Sequence, residues 1–297
     1  MSVSIKAWVE AMRLRTLPVS AAGVITGAGC AAYTGNFRVL PFILCLLFAL
    51  GAQIASNFAN EYFDYKNGFD RKGRAGFRRG VTEGDIKPGA MLRATLLTLA
   101  LTGVIGCLLI IWGGWWLIAV GVTVAIFALA YSAGPWPLSH HGLGELAVII
   151  FFGFVPVVFT FYLTSGGWEY YKMPLYLGGA IGLMGANVLV VNNYRDIDDD
   201  RAVGKHTLAV KFGPEFAKRL YFINGIAAFM LTEFALVLSV PIIWQIGSLI
   251  YVNLHYLLWT RLCISKGAEL NPLLGKTAML MIFVSVWLFA TLAVNNL

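Results

Sequence analysis

Apolar residues run along this chain in stretches too long for a water-soluble core. Windows of about 20 such residues recur from end to end, and each can cross a hydrocarbon layer of roughly 30 Å as a helix. The pattern predicts nine transmembrane helices, over 17–34, 39–59, 92–112, 114–131, 146–164, 174–193, 219–238, 241–259 and 277–295. Turn chemistry separates several of them: Thr34-Gly35-Asn36, Gly113-Gly114, Gly134-Pro135 and Gly166-Gly167. Glycine, asparagine and proline supply the backbone conformations that close tight connections. Residues 1–16 differ, being polar and amphipathic, with Lys6, Trp8, Glu10, Arg13 and Arg15. The first long apolar run starts only at Leu17, so 1–16 reads as an interfacial helix feeding the first span and not as a signal peptide.

Composition and charge sharpen this map. Of 297 residues, 59% are hydrophobic and 12% charged, against about 25% charged in a soluble domain. With the N terminus on the cytoplasmic side, all but Arg38 and Lys172 of the 22 Lys and Arg fall in cytoplasmic segments. The positive-inside rule predicts that asymmetry. It accounts for the net charge of +7 without a nucleic-acid partner. Nine spans put the C terminus on the opposite side. The expected organisation is one transmembrane domain over 1–297, with cytoplasmic loops at 60–91 and 194–218. Gly23 with Gly27, and Gly178 with Gly182, repeat at the spacing that lets helices pack closely. Cys30, Cys45, Cys107 and Cys263 lack any CxxC spacing and read as small buried hydrophobes.

Chemistry concentrates where two apolar helices reach the cytoplasmic surface. Asn57, Asn60 and Asp64 are spaced i, i+3, i+7, and so are Asn193, Asp196 and Asp200. At 100° per residue each trio falls within an arc of about 60°. Each face thus points several oxygens the same way, and oxygen-only ligands without Cys or His suit Mg²⁺. A wet loop of acids paired with nearby Arg and Lys would need neither the repeated spacing nor amides at membrane depth, where polar groups are costly and face cavities or functional pathways. Asn60, Asp64, Asp196 and Asp200 are the expected metal set, and Asn60, Asp64, Asn193 and Asp196 the catalytic candidates. Arg78, Arg79, Arg195 and Lys205 interleave with these acids. A divalent cation beside fixed cations suits a polyanion such as diphosphate, although any one of these arginines also satisfies the positive-inside requirement. Gly204-Lys205-His206-Thr207 is no phosphate-binding P-loop, because the upstream glycine and strand are missing.

At these residues the sequence resembles the UbiA superfamily of intramembrane prenyltransferases, most of all the 1,4-dihydroxy-2-naphthoate prenyltransferases of menaquinone biosynthesis. Their first motif is similar to Asn60-Glu61-Tyr62-Phe63-Asp64 with Gly68 and Asp70, and their second to Asn192 through Ala209. Arg13-Leu14-Arg15-Thr16-Leu17-Pro18, Arg79-Gly80-Val81 and Tyr131 with Gly142-Leu143-Gly144-Glu145 extend the likeness over nearly the whole chain. Glu61 departs from the usual aspartate. Ser139-His140-His141 stands where many members carry a Lys or Arg.

The resemblance implies nine helices around a central cavity open to the cytoplasmic side and to lipid. It implies an integral membrane enzyme, in the cytoplasmic membrane if bacterial, that needs Mg²⁺. Its substrates would be a polyprenyl diphosphate and an aromatic acceptor, with no obligate protein partner. Arg13, Tyr131, His140, Glu145, Asn57 and Asp70 become candidates for the acceptor or cavity. Transfer to 1,4-dihydroxy-2-naphthoate with loss of CO2 and diphosphate would give demethylmenaquinol. The alternatives are another acceptor (4-hydroxybenzoate, homogentisate, a haem or chlorophyll precursor) or a cation transporter.

Overall fold

A computed structural model describes residues 5–73, 76–237 and 239–296. Arg74, counted above among the cytoplasmic cations, and Leu238, the last residue of an expected span, lie outside the described residues. No strand occurs among the described residues. The chain winds through α1 (Ile5–Met12), α2 (Leu17–Tyr33), α3 (Val39–Lys66), α4 (Gly80–Glu83), α5 (Pro88–Gly113) and α6 (Leu117–Ala130). It continues through α7 (Gly144–Val148), α8 (Val155–Ser165), α9 (Lys172–Arg195), α10 (Ile197–Ala202), α11 (Leu208–Phe212), α12 (Pro214–Leu236), α13 (Ile246–Ile264) and α14 (Leu270–Val294).

Among the described residues, eight helical segments are long and apolar enough to cross a membrane. The expected span 114–131 is instead the 14-residue helix α6. At 1.5 Å per residue it covers only about 21 Å, short of a roughly 30 Å hydrocarbon layer. Several other helices outrun their apolar stretch. α3 continues past the expected end at 59 to Lys66, and α14 begins at Leu270 where 277 was expected. A polar end that pairs its side chains stays helical, so hydropathy alone sets the boundary short.

α9 is the post around which the bundle closes. Of its apolar window, 78% is buried, against 17% for α5. α9 packs on α2, α8, α12 and α14, while α5 packs on α3 and α6 and shows Leu97, Leu101 and Ile111 to the outside. An apolar surface of that kind is what lipid solvates. α1 lays Ala7 and Ala11 on Phe58, Val81, Ile86 and Met91, with Trp8 edge-on to Phe58 at 5.6 Å. The N-terminal amphipathic segment is therefore seated on α3 and α4. The cysteines are all free; Cys30 and Cys45 are buried as expected, but Cys107 is exposed and Cys263 half-buried.

Glycine sets the closest approaches. A Cβ on Gly23 would lie 2.6 Å from Pro156 Cγ, and one on Gly182 would lie 2.6 Å from the Ile149 carbonyl oxygen. Gly27 faces the Val157 carbonyl, and Gly153 meets Gly178 and Gly182 backbone to backbone. Both glycine pairs read from the sequence thus sit at helix crossings, where small residues let backbones touch. Between α7 and α8 the rod Gly144–Ser165 is continuous but widens into a π-helical turn over Ile149–Phe154. Pro156 follows directly; its ring cannot sit against the carbonyl four residues back, and a wider turn relieves the clash.

Replacing Gly182 by Val should therefore overpack the α9 crossing, at a cost of about 1–3 kcal/mol. Thermal unfolding in detergent should fall by roughly 5 °C. Gly275→Ala, where a Cβ meets nothing within 4 Å, should leave the midpoint unchanged or slightly higher.

Candidate active site

The last three turns of α3 carry Asn57, Asn60, Glu61 and Asp64 to one end of the bundle, and the end of α9 brings Asn193 beside them. α9 stops at Arg195, and Asp196 (φ −95°, ψ 10°) forms the joint to α10. The second trio therefore spans a break, where one uninterrupted helix was expected. The Asp200 amide nonetheless donates to the Asp196 carbonyl at 2.8 Å, so the turn is kept and the trio still converges. The stretches 60–91 and 194–218, expected as loops, both carry helix: α3 runs to Lys66, α4 covers Gly80–Glu83 and α5 starts at Pro88 in the first, and α10, α11 and the start of α12 take up most of the second.

Around these ends lies a polar cleft of about 170 Å³. Its wall includes Arg13, Asn57, Asn60, Asp64, Arg79, Tyr131, Asn193, Asp196, Asp200 and Lys205, all expected from sequence. Four more expected residues stand behind that wall and hold it. His140 Nε2 lies 3.2 Å from Asp64 Oδ1, and Lys205 Nζ donates to Asp64 Oδ2 at 3.0 Å. Arg195 grips Asp196 with both ends of its fork, Nε to Oδ1 at 2.7 Å and Nη2 to Oδ2 at 2.8 Å. The same guanidinium donates to Asn192 and Asn271, so it orients Asp196 and does not reach the cleft as a free anion ligand. Glu145 accepts from Asn193 Nδ2 at 2.9 Å, and Asp70 pairs with Arg79 Nε at 3.4 Å.

Arg78 lies outside the cleft wall. It is half exposed and pairs with Asp85 and Glu10. Only Arg79 of the Arg78-Arg79 pair turns inward, because Arg79 caps α4 from an extended conformation that sends consecutive side chains to opposite faces. Glu61, the departure from aspartate, accepts from the Val81 amide at 2.9 Å and so fastens α4 to α3.

Phe69 and Phe77, in the described parts of the connection between α3 and α4, make contacts that spacing did not reveal. Phe69 stands edge-on to His140 at 4.3 Å. Phe77 lies between two guanidinium groups, Arg15 at 5.0 Å and Arg195 at 5.2 Å from the ring centroid. Arg71 pairs with Asp199. Gln53 was also missed as a site residue, although it sits one turn before Asn57 on the same face. It donates to Asn57 and Thr16, while Asn57 in turn donates to the Met12 carbonyl at 2.9 Å.

Below the cleft is a larger cavity of about 350 Å³ lined almost wholly by apolar side chains of α3, α5, α6, α8 and the π-helical turn. Gln53, Ser56, Tyr131, Val148 and Phe152 line both spaces and form the neck between them. Along α5 the cavity runs from Leu99 to Ile110, about 16 Å at 1.5 Å per residue. Tyr131 brings a phenol hydroxyl to the neck.

The oxygen donors fit a divalent cation shared with a polyphosphate. Asn60 Oδ1 is buried and has no hydrogen-bond partner, and neither do Arg79 Nη1 and His140 Nδ1. No group of three or more His, Cys, Asp or Glu among the described residues forms a self-sufficient metal cage. Mg²⁺ does not require one, since it commonly takes one or two carboxylates and completes its shell with water and phosphate oxygens.

The model of the UbiA prenyltransferase family matches residues 20–271. The chain is 34% identical over 285 residues to the 1,4-dihydroxy-2-naphthoate octaprenyltransferase of Mycobacterium tuberculosis, covering 95% of this chain and 94% of that one. To the Escherichia coli protein of the same name it is 35% identical over 226 residues, covering 73% and 71%. Its fold is similar to that of a UbiA homolog from Archaeoglobus fulgidus bound to DMAPP and Mg²⁺, with a TM-score of 0.68 at 18% identity over 97% of this chain and 99% of that one.

The Phe77 contacts carry a direct test. Two cation–π contacts at about 0.5–1 kcal/mol each hold the segment that contains Arg71 and Lys72. Phe77→Ala should raise the rate of limited tryptic cleavage after those residues roughly tenfold, because cleavage follows the population of the open segment. The thermal midpoint of the bundle should not move.

Proposed function

The chain belongs to the UbiA prenyltransferase family, and we propose that it transfers a polyprenyl group from a polyprenyl diphosphate to 1,4-dihydroxy-2-naphthoate, releasing CO2 and diphosphate. The observation that carries this reading is the joining of the two spaces. A cleft of carboxylates, amides and cations opens through Gln53, Ser56 and Tyr131 into an apolar cavity, as a molecule with a diphosphate head and a hydrocarbon tail requires. The acceptor is inferred from the relatives' names.

The chemistry follows from these residues. Asn60, Asp64, Asp196 and Asp200 would hold Mg²⁺, which as a Lewis acid neutralises the charge that develops on the departing diphosphate. Arg79 and Lys205 supply fixed positive charge to the same oxygens. Heterolysis of the allylic C–O bond sends its electron pair to diphosphate. The electron-rich ring attacks the allylic cation at the carbon bearing the carboxylate, and loss of that carboxylate as CO2 returns the bonding pair to the ring. The apolar lining below the neck keeps water from the cation. A transporter would place its acids near the bilayer midplane on broken helices. Here they cap helix ends and pair with cations.

Membranes carrying the protein, given Mg²⁺ and one prenyl diphosphate, should prenylate 1,4-dihydroxy-2-naphthoate about 10–30-fold in preference to 4-hydroxybenzoate. Burying the second ring is worth about 1–2 kcal/mol, and products are followed by mass. Asp64→Asn and Asp196→Asn should each lower turnover about 10²-fold or more while inserting normally. Equal use of 4-hydroxybenzoate would overturn the acceptor, and near-normal turnover in both variants would overturn the metal assignment.

The charge distribution supports a cytoplasmic N terminus with the cleft on the cytoplasmic side. If α6 crosses the membrane despite its length, the C terminus lies on the opposite side. Reporter fusions at both ends decide this: opposite sides confirm an odd number of crossings, and one shared side shows that α6 does not cross.

A further inference from the structure

Carboxylates and cations are matched pair by pair around the cleft, but the pairs are built differently. Arg195 is locked. It spends its donors on both oxygens of Asp196, on Asn192 and on Asn271, and its Cζ stands 5.2 Å from the Phe77 ring centroid. Moving it would break every one of those contacts.

Lys205 is the opposite case. Among the described residues its ammonium makes one carboxylate contact, to Asp64 Oδ2 at 3.0 Å, and it faces the Phe69 ring at 5.8 Å. It lines the cleft on a four-carbon stem with freely turning donors. Gly204 before it has φ +77° and open space around it. Asp64 keeps a second holder, since His140 occupies its other oxygen.

We propose that Lys205 changes partner during substrate binding, leaving Asp64 for the diphosphate, and that this exchange couples the metal to the diphosphate. The proposal rests on the prenyltransferase reading above and deepens it. A divalent cation arriving alone at Asp64 Oδ2 displaces an ammonium whose side chain is 10% exposed, and a buried charge without a partner is costly. A diphosphate arriving alone draws Lys205 away and leaves Asp64 Oδ2 without its cation, with only His140 on the other oxygen. When both arrive, the carboxylate takes the metal, the ammonium takes a phosphate oxygen, and no charge is left unpaired. Each ligand then raises the affinity for the other by the same factor. Arg195 stays on Asp196 throughout and acts as a positioning residue.

The test measures binding, not turnover. Detergent-purified full-length protein is dialysed to equilibrium against Mn²⁺, with or without inorganic pyrophosphate. Bound ion is read by electron paramagnetic resonance, and a protein-free chamber corrects for metal–pyrophosphate complexes. In the wild type, pyrophosphate should tighten Mn²⁺ binding about 10–100-fold. Lys205→Met should bind Mn²⁺ alone about tenfold tighter than the wild type, and its gain from pyrophosphate should shrink to about threefold or less. Lys205→Arg, which keeps a cation, should retain most of the coupling. Lys205→Gln repeats the neutral case in a polar side chain, should Met disturb folding. If neither neutral variant binds free Mn²⁺ more tightly than the wild type, or if the coupling survives in both, the exchange is wrong. A prenyl-transfer assay on the same wild-type preparation separates this failure from that of the functional reading.

Discussion

A carboxylate at the edge of a hydrocarbon layer must be paired, and Asp64 is where this protein meets that requirement from three directions. Its helix, α3, delivers it out of the apolar bundle. The turn at 138–140 offers His140 to one oxygen, and the loop after α10 offers Lys205 to the other. The peptide chain closes the same knot: the Phe69 amide donates to the Asp64 carbonyl at 2.8 Å and the His206 amide to the His140 carbonyl at 2.8 Å. Segments far apart in sequence are thereby drawn to one point. In lipid, close packing supplies most of the adhesion between the helices, and dispersion has little direction. The charge has one, and it aligns the helix ends that form the cleft.

Much of this was legible in the sequence, because membranes allow few solutions. Backbone polar groups in hydrocarbon must be satisfied within a helix, so long apolar runs announce helices, and glycines at four-residue spacing announce crossings. The paired Asn and Asp trios were readable for the same reason: at that depth a polar face is too costly to be incidental. What stayed hidden depended on tertiary placement. Spacing could not tell that Arg195 clasps its own neighbour Asp196, or that Arg78 turns outward while Arg79 turns in. Nor could hydropathy tell α6, which stops at 14 residues, from a full span. The second trio appeared to lie on one helix because Asn193, Asp196 and Asp200 keep helical spacing through a joint that only the backbone angles of Asp196 disclose.

The neck between the two spaces depends on backbone geometry as much as on side chains. Phe152 and Val148 reach it from either side of the boundary where α-helix gives way to the π-helical turn. That turn is held against α9 by glycine on both sides, Gly153 facing Gly178 and Gly182. The wide turn, the proline that demands it and the glycines that seat it act as one unit. Together they fix the angle at which an aromatic ring enters the passage.

The wall of the large cavity has one further property. α5 and α6 turn exposed apolar side chains outward and line an apolar cavity on the other side, so both faces are hydrocarbon-like. Helices in water are constrained to keep one face greasy and one face wet; these two carry no such polarity to preserve. Substitutions that exchange one aliphatic residue for another leave their solvation unchanged while altering the room inside. The volume and reach of the cavity can therefore change by such substitutions almost independently of whether the protein folds, and under the proposed function the length of prenyl chain that fits would change with them.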